Sequence, residues 1–283
     1  MDPLVIVMVL TAAVLHAVWN AVVKVDGDRL MAMAVIISTT GVLAPILLLF
    51  GPSPAPESWP FIAASALLNN FYFLFLIEAY RVGDLSHAYP LARGSAPLMV
   101  AVGAAVFGGE SLGAGELAGI TLVSGAIVSL VFIAGEGLQS GWRPVGYPLL
   151  TGLMIATYTV VDGIGVRLSG SPAGFIGWLF ILSPLPIAVI AVVRRGYGVF
   201  GFLRTRWKPA VLAGCLNLGS YGLAIWALSL GAMAHVSALR ETSVIIAALI
   251  GTFVLGESFG RGRIISAVVV VIGVVTINLA APH

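Results

Sequence analysis

Ten runs of about twenty mostly apolar residues follow one another along the chain, each closed by charge, Gly or Pro. They fall near residues 4–24, 30–50, 60–80, 85–107, 115–135, 145–165, 173–193, 208–230, 235–256 and 262–280. A bilayer core of about 30 Å takes about 20 helical residues, so each run can cross it once. Links such as Asp26-Gly27-Asp28 and Gly108-Gly109-Glu110 leave no room for intervening domains. Composition agrees, because 59% of the 283 residues are hydrophobic and 9% charged. Soluble chains carry roughly a quarter charged residues. The expectation is an all-α polytopic membrane protein with ten transmembrane helices, its immediate partner the lipid bilayer.

Several function classes drop out on the same grounds. A single cysteine, Cys215, excludes an intrachain disulfide and a thiolate metal cluster, so helix packing must hold the fold. Net charge is +2 with the basic residues scattered, which gives nucleic-acid binding no support. Met1-Asp2-Pro3 lacks the basic start of a cleavable signal, and the first run reads as a membrane helix. Odd-numbered links hold Lys24, Arg29, Arg81, Arg143, Arg194, Arg195, Arg204, Arg206, Lys208, Arg261 and Arg263, while even-numbered links hold only Arg167. Positive links stay in the cytoplasm, so both termini are expected on the periplasmic side of a bacterial-type inner membrane.

Residues 93–115 and 240–262 align at a constant offset. Gly109-Glu110-Ser111-Leu112-Gly113-Ala114-Gly115 faces Gly256-Glu257-Ser258-Phe259-Gly260-Arg261-Gly262, and Arg93 falls on Arg240. With one residue's shift upstream, Asn69 meets Asn217, Ala79 meets Ala227, Gly83 meets Gly231 and His87 meets His235. Two related halves follow, 1–140 and 141–283, with five spans each. Five is odd, so equivalent spans cross in opposite directions, the inverted-repeat plan of many secondary transporters. Such a chain holds both halves of the pair: a monomer is sufficient and an oligomer possible. No nucleotide-binding loop, zincin pair or nucleophile elbow is present, so neither an enzyme nor a resident cofactor or metal is expected. Gly115 and Gly119 form a small-xxx-small pair, the usual mark of close helix packing.

These motifs, with His16-Ala17-Val18-Trp19-Asn20, Ala88-Tyr89-Pro90-Leu91-Ala92-Arg93-Gly94 and Arg240-Glu241-Thr242-Ser243, resemble the drug/metabolite transporter superfamily, EamA type. The likeness covers essentially the whole chain. It implies two inverted five-helix repeats around a central cavity, and alternating access for export of small metabolites, amino acids including aromatic ones. Proton-coupled efflux of drugs or quaternary amines and transport of a sugar-like metabolite are the alternatives. Small four-helix multidrug members of the superfamily use a glutamate in their first helix. Here no acidic residue lies between Pro3 and Lys24.

Ionisable residues inside a membrane cost at least about 2.5–3.5 kcal/mol at a helix centre and face an interior or a wet cavity. Arg93, Arg240 and Glu241 are the clearest, and their arginines either bind substrate or lock helices by pairing with acids such as Glu241. His16, Trp19 and Asn20 share one face of span one. Tyr158, Thr159 and Asp162 answer at matching places in span six. With Tyr89 they form the expected aromatic wall and polar floor for a small-molecule substrate. Glu78 corresponds to Trp226, with Tyr80 and Tyr221 nearby, and Arg81 is its alternative partner at the interface. Pro90 and Pro97 mark span four as the candidate hinge, since span nine has no matching prolines.

Overall fold

The computed structural model describes residues 1–24, 29–82, 85–133, 142–196, 198–253 and 261–281. The Gly256-Glu257-Ser258 run lies outside the described residues, as do the side chains of His87, Arg261 and Arg263. Among the described residues the elements are helical throughout. The chain is an all-α multi-pass membrane protein. Nine segments are long and apolar enough to cross a bilayer, and the shorter apolar helix Ile264–Ala280 stands in tenth place.

Span one is α1 (Pro3–Lys24), and span two is α2 (Arg29–Leu43) continued by a 3-10 turn (Ala44–Leu49). Spans three to six are α3 (Trp59–Val82), α4 (Leu85–Phe107), α5 (Ala114–Ile133) and α6 (Arg143–Ser169). Span seven is split into α7 (Pro172–Leu182) and α8 (Pro184–Arg195), and span eight is the long α9 (Gly198–Leu230). Span nine is split into α10 (Met233–Arg240) and α11 (Thr242–Phe253), and α12 (Arg261–Ala280) is span ten.

Local chemistry places several of these boundaries. Gly170, at φ 62°, closes α6 in the left-handed region that favours glycine. Ser171 then caps α7, accepting from the Gly174 amide at 3.1 Å, and Pro172 takes the first turn, where its missing N–H costs nothing. The split of span seven falls at Ser183-Pro184. Asn70 on α3 donates to the Ser183 carbonyl at 3.1 Å, so this break is satisfied from a neighbouring helix.

The hinge expected at Pro90 and Pro97 is not where a span is interrupted. Helix α4 runs unbroken through both prolines, whereas span nine, which has none at the matching places, breaks at Glu241. Close neighbours flank α4 along its proline-bearing stretch. A Cβ on its Gly94 would meet Val128 of α5 at 2.8 Å, and one on Gly152 of α6 would stand 2.7 Å from the Ala92 carbonyl oxygen.

Packing follows the inverted repeat. Helix α6 packs on α3 and α4, and its counterpart α1 packs on α9 and on both parts of span nine. Helices α5 and α12, the fifth of each half, pack on one another. Their backbones approach at Gly119 and Gly273: a Cβ on Gly119 would stand 2.7 Å from the Gly273 carbonyl oxygen. One on Gly115 would meet Ala280 at 2.7 Å, so the glycine pair serves close packing, as its spacing suggests. Large apolar side chains such as Val7, Phe107, Val193 and Leu279 cover the outside, while Arg93, Asp162, Arg240 and Glu241 are buried. That distribution, polar inside and apolar outside, suits a bundle solvated by lipid.

Candidate functional site

Five helices bring their polar faces to the middle of the bundle. Helix α4 supplies Tyr89 and Arg93 on one face, four residues apart; α6 supplies Tyr158 and Asp162 at the same spacing. Tyr221 comes from α9, Arg240 from the end of α10, and Ser65, Asn69 and Tyr72 from one face of α3. His16 on α1, Tyr89 and Tyr158 all lie within electrostatic reach of both arginines. His16, Tyr72, Tyr89 and Tyr221 sit deep in the bundle and are only half-buried, so the surface they keep faces an internal space.

The two arginines differ in their partners. Arg93, 4% exposed, is held by Glu241, 2% exposed, through Nη2 to Oε1 at 2.9 Å and Nε to Oε2 at 3.1 Å. The Nε–Nη2 edge of the guanidinium is thereby used bidentately on one carboxylate. Arg240 is 8% exposed and makes no ion pair among the described residues; its guanidinium carbon lies 5.8 Å from the centre of the Tyr221 ring. A cation over an aromatic face gains about 0.5–2 kcal/mol, far less than the cost of burying a lone charge. Arg240 is therefore a charge in want of an anion. Glu241 belongs to Arg93, not to its sequence neighbour.

Around these charges the aromatic rings form a chain. Tyr72 meets Tyr158 edge-on at 5.8 Å, Tyr158 meets Tyr221 at 5.8 Å, and Phe180 closes on Tyr221 at 5.5 Å. The Tyr221 hydroxyl donates to Asp162 Oδ2 at 2.5 Å and accepts from Asn69 Nδ2 at 3.1 Å. Of the expected aromatic wall and polar floor, Tyr158 and Asp162 stand in this group, joined by Tyr72, Phe180 and Asn69.

Other expected residues stand at its margin or away from it. Trp19 is buried edge-on against His16 at 5.3 Å, packed with Ile36, Phe73 and Leu76. Asn20 donates to its own helix at the His16 carbonyl, 2.8 Å away. Tyr80 packs on the cluster that holds Trp19. Glu78 takes the interfacial alternative, 3.3 Å from Arg81. Trp226 is 43% exposed on the outer face, away from the centre. Pro90 and Pro97 lie within α4, beside Arg93 in sequence.

The structure adds residues that the sequence reading left unassigned. Tyr72 and Ser65 join Asn69 through spacings of three and four, a face legible from α3 alone. At the bundle end that carries both termini, Glu110 binds Arg167 Nη2 at 2.8 Å and accepts from the Met233 amide at 2.9 Å. Arg167 also donates to the Leu228 and Gly231 carbonyls, at 3.0 and 2.7 Å. His235 lies 2.7 Å from Glu116. The contacts of Glu110 and Glu116 join one half to the other around a cavity of about 400 Å³ lined by Asp2, Glu110, Glu116, Arg167 and His235. Among the described residues no group of three or more His, Cys, Asp or Glu gathers as metal ligands would.

Comparison with known proteins agrees with this architecture. Residues 143–279 match the EamA-like transporter family. Over 126 residues the chain is 32% identical to the probable magnesium transporter NIPA1 of Arabidopsis thaliana, a stretch that spans 42% of this chain and 36% of that protein. A solved crystal structure overlays with a TM-score of 0.78, covering 99% of each chain at 16% identity, which is a likeness of fold. Over its second half this multi-pass membrane protein is thus similar to the EamA-like transporter family.

Proposed function

We propose that the chain is a secondary transporter of small carboxylate-bearing metabolites, amino acids foremost, which works by alternating access in a bacterial-type inner membrane. The observation that carries this reading is Arg240: buried, charged, stacked on Tyr221 and without a carboxylate. A guanidinium so placed can take a substrate carboxylate through two parallel hydrogen bonds. The tyrosine rings beside it suit an apolar or aromatic side chain.

The printed name of the plant relative raises magnesium as a second reading. Magnesium wants near-octahedral oxygen ligands and keeps several waters. A central arginine with no carboxylate in contact disfavours it, as it disfavours a quaternary amine. The cross-half clasp of Glu110, with Arg167 and the α10 amide, would be one of two alternating closures around the centre.

Flux into proteoliposomes tests the reading, with labelled L-phenylalanine, choline and magnesium offered to the same preparation. L-Phenylalanine should move, and Arg240→Gln should abolish its movement while the protein stays folded. Movement of choline or magnesium alone would refute the reading. Orientation is checked by a phosphatase fused after the carboxyl terminus, expected active, and one fused after Arg195, expected inactive.

A further inference from the structure

One carboxylate at the centre is not used by the reading above. Asp162, on α6, is 0% exposed; Oδ2 accepts the Tyr221 hydroxyl, while Oδ1 is buried and accepts no hydrogen bond within 3.5 Å, the Ser65 hydroxyl being the other donor beside the carboxylate. An unsatisfied, fully buried carboxylate oxygen is costly and calls for an explanation.

The groups that face Asp162 are few. Helix α3 brings Ser65 and Asn69, the latter through the Tyr221 hydroxyl. Helix α9 brings Tyr221 and α10 brings Arg240, while α6 itself adds Tyr158. Helix α4 carries Arg93, whose charge is matched by Glu241, and α7 contributes the apolar Phe180 against Tyr221. The cation within reach of Asp162 is thus the unpaired Arg240. Tyr221 touches both, with its ring under the guanidinium and its hydroxyl on the carboxylate.

Two arguments identify the missing partner of Oδ1. The first is space: an oxygen without accessible surface has no room for an ammonium group or a hydrated metal ion, whereas a proton needs none. The second is charge. In the empty site Arg240 and Asp162 balance. A substrate whose one charge is a carboxylate, unlike a zwitterionic amino acid, leaves the centre with one negative charge too many, in surroundings where charges interact far more strongly than in water. A proton on Oδ1 restores the balance.

We propose that Asp162 is a proton-binding site linked through Tyr221 to anion binding at Arg240, so that a carboxylate and a proton cross the membrane together. One proton from the aqueous phase adds to Oδ1 and turns the carboxylate into a neutral acid. It leaves to the opposite phase once the anion has left Arg240, and no bond of the substrate changes. This inference rests on the reading of Arg240 as the anion receiver.

Calorimetric titration of the purified protein in detergent tests it, with 3-phenylpropionate as probe because its one charge is the carboxylate. Repeating the titration in buffers of different ionisation enthalpy counts the protons taken up on binding. Uptake should approach about one per carboxylate over the pH range in which Asp162 is charged in the free protein and neutral in the complex. Over the same range the wild-type affinity should fall about tenfold per pH unit. Asp162→Asn should bind the probe with close to no uptake and with a flat pH profile. Tyr221→Phe keeps the ring under Arg240 and removes the hydroxyl donor from the carboxylate, so uptake should persist to more alkaline pH. That second variant serves if Asp162→Asn fails to fold. Binding by the wild type without proton uptake overturns the proton site alone, as does equal uptake by Asp162→Asn. Absence of wild-type binding, or undiminished binding by Arg240→Gln, overturns the anion site and the inference with it.

Discussion

Replacing each central arginine by glutamine should separate folding from transport. Arg93→Gln removes the cation that holds Glu241 through two hydrogen bonds of 2.9 and 3.1 Å, and leaves that carboxylate, 2% exposed, without its partner. Breaking one side of a buried pair costs about 3–5 kcal/mol. Against a total stability of about 5–15 kcal/mol, this is a large fraction. Arg240→Gln breaks no ion pair among the described residues, because Arg240 rests on the Tyr221 ring, and the one acid that loses its balancing charge, Asp162, can take up a proton. Its stability change should stay within about 1 kcal/mol of zero, with a gain possible once a lone buried charge is gone. Denaturant unfolding in detergent, followed by tryptophan fluorescence, measures the stabilities; L-phenylalanine flux in proteoliposomes measures function. The expected pattern is an unstable Arg93→Gln and a stable, inactive Arg240→Gln. A double variant, Arg93→Met with Glu241→Leu, should recover most of the lost stability, since replacing a buried pair by apolar groups is often neutral or better. Equal stability losses at the two arginines, or a stable Arg93→Gln, would refute the division of roles.

Three other perturbations have definite outcomes. Glu110→Gln weakens the clasp on Arg167 and the Met233 amide, and should cost about 1–3 kcal/mol with faster hydrogen exchange at the start of α10. Gly119→Val places a Cβ 2.7 Å from the Gly273 carbonyl oxygen and should destabilise the α5–α12 contact by about 1–3 kcal/mol, read by unfolding. Glu78→Gln removes only an exposed pair with Arg81 and should change stability by less than about 0.5 kcal/mol, with flux unaltered; a loss of flux would return Glu78 to the transport path.

The features legible in the sequence are those dictated by the bilayer. Spans show because hydrocarbon demands runs of apolar helix, and the glycine pair at 115 and 119 shows because close backbones need small residues. The matching of Arg93 with Arg240 was also visible as a constant offset, yet it suggested equal roles that the partners deny. A helical rule bore on this: consecutive residues point about 100° apart on a helix, so Glu241 was poorly placed to neutralise Arg240. The pairing of Glu78 with Trp226 came from an alignment shifted by one residue. That offset keeps the buried faces of α3 and α9 in step, Ile62, Asn69 and Ala79 with Ala210, Asn217 and Ala227, and puts Glu78 and Trp226 together on the more exposed side. The proline rule was misleading for a different reason. Pro90 and Pro97 are visible marks of weakness, but α4 is clamped at Gly94 and at Gly152. Span nine breaks where no Gly or Pro announces it, at the residue whose carboxylate Arg93 holds from another helix. A break that coincides with a contact 148 residues away in the chain leaves no mark in the local sequence.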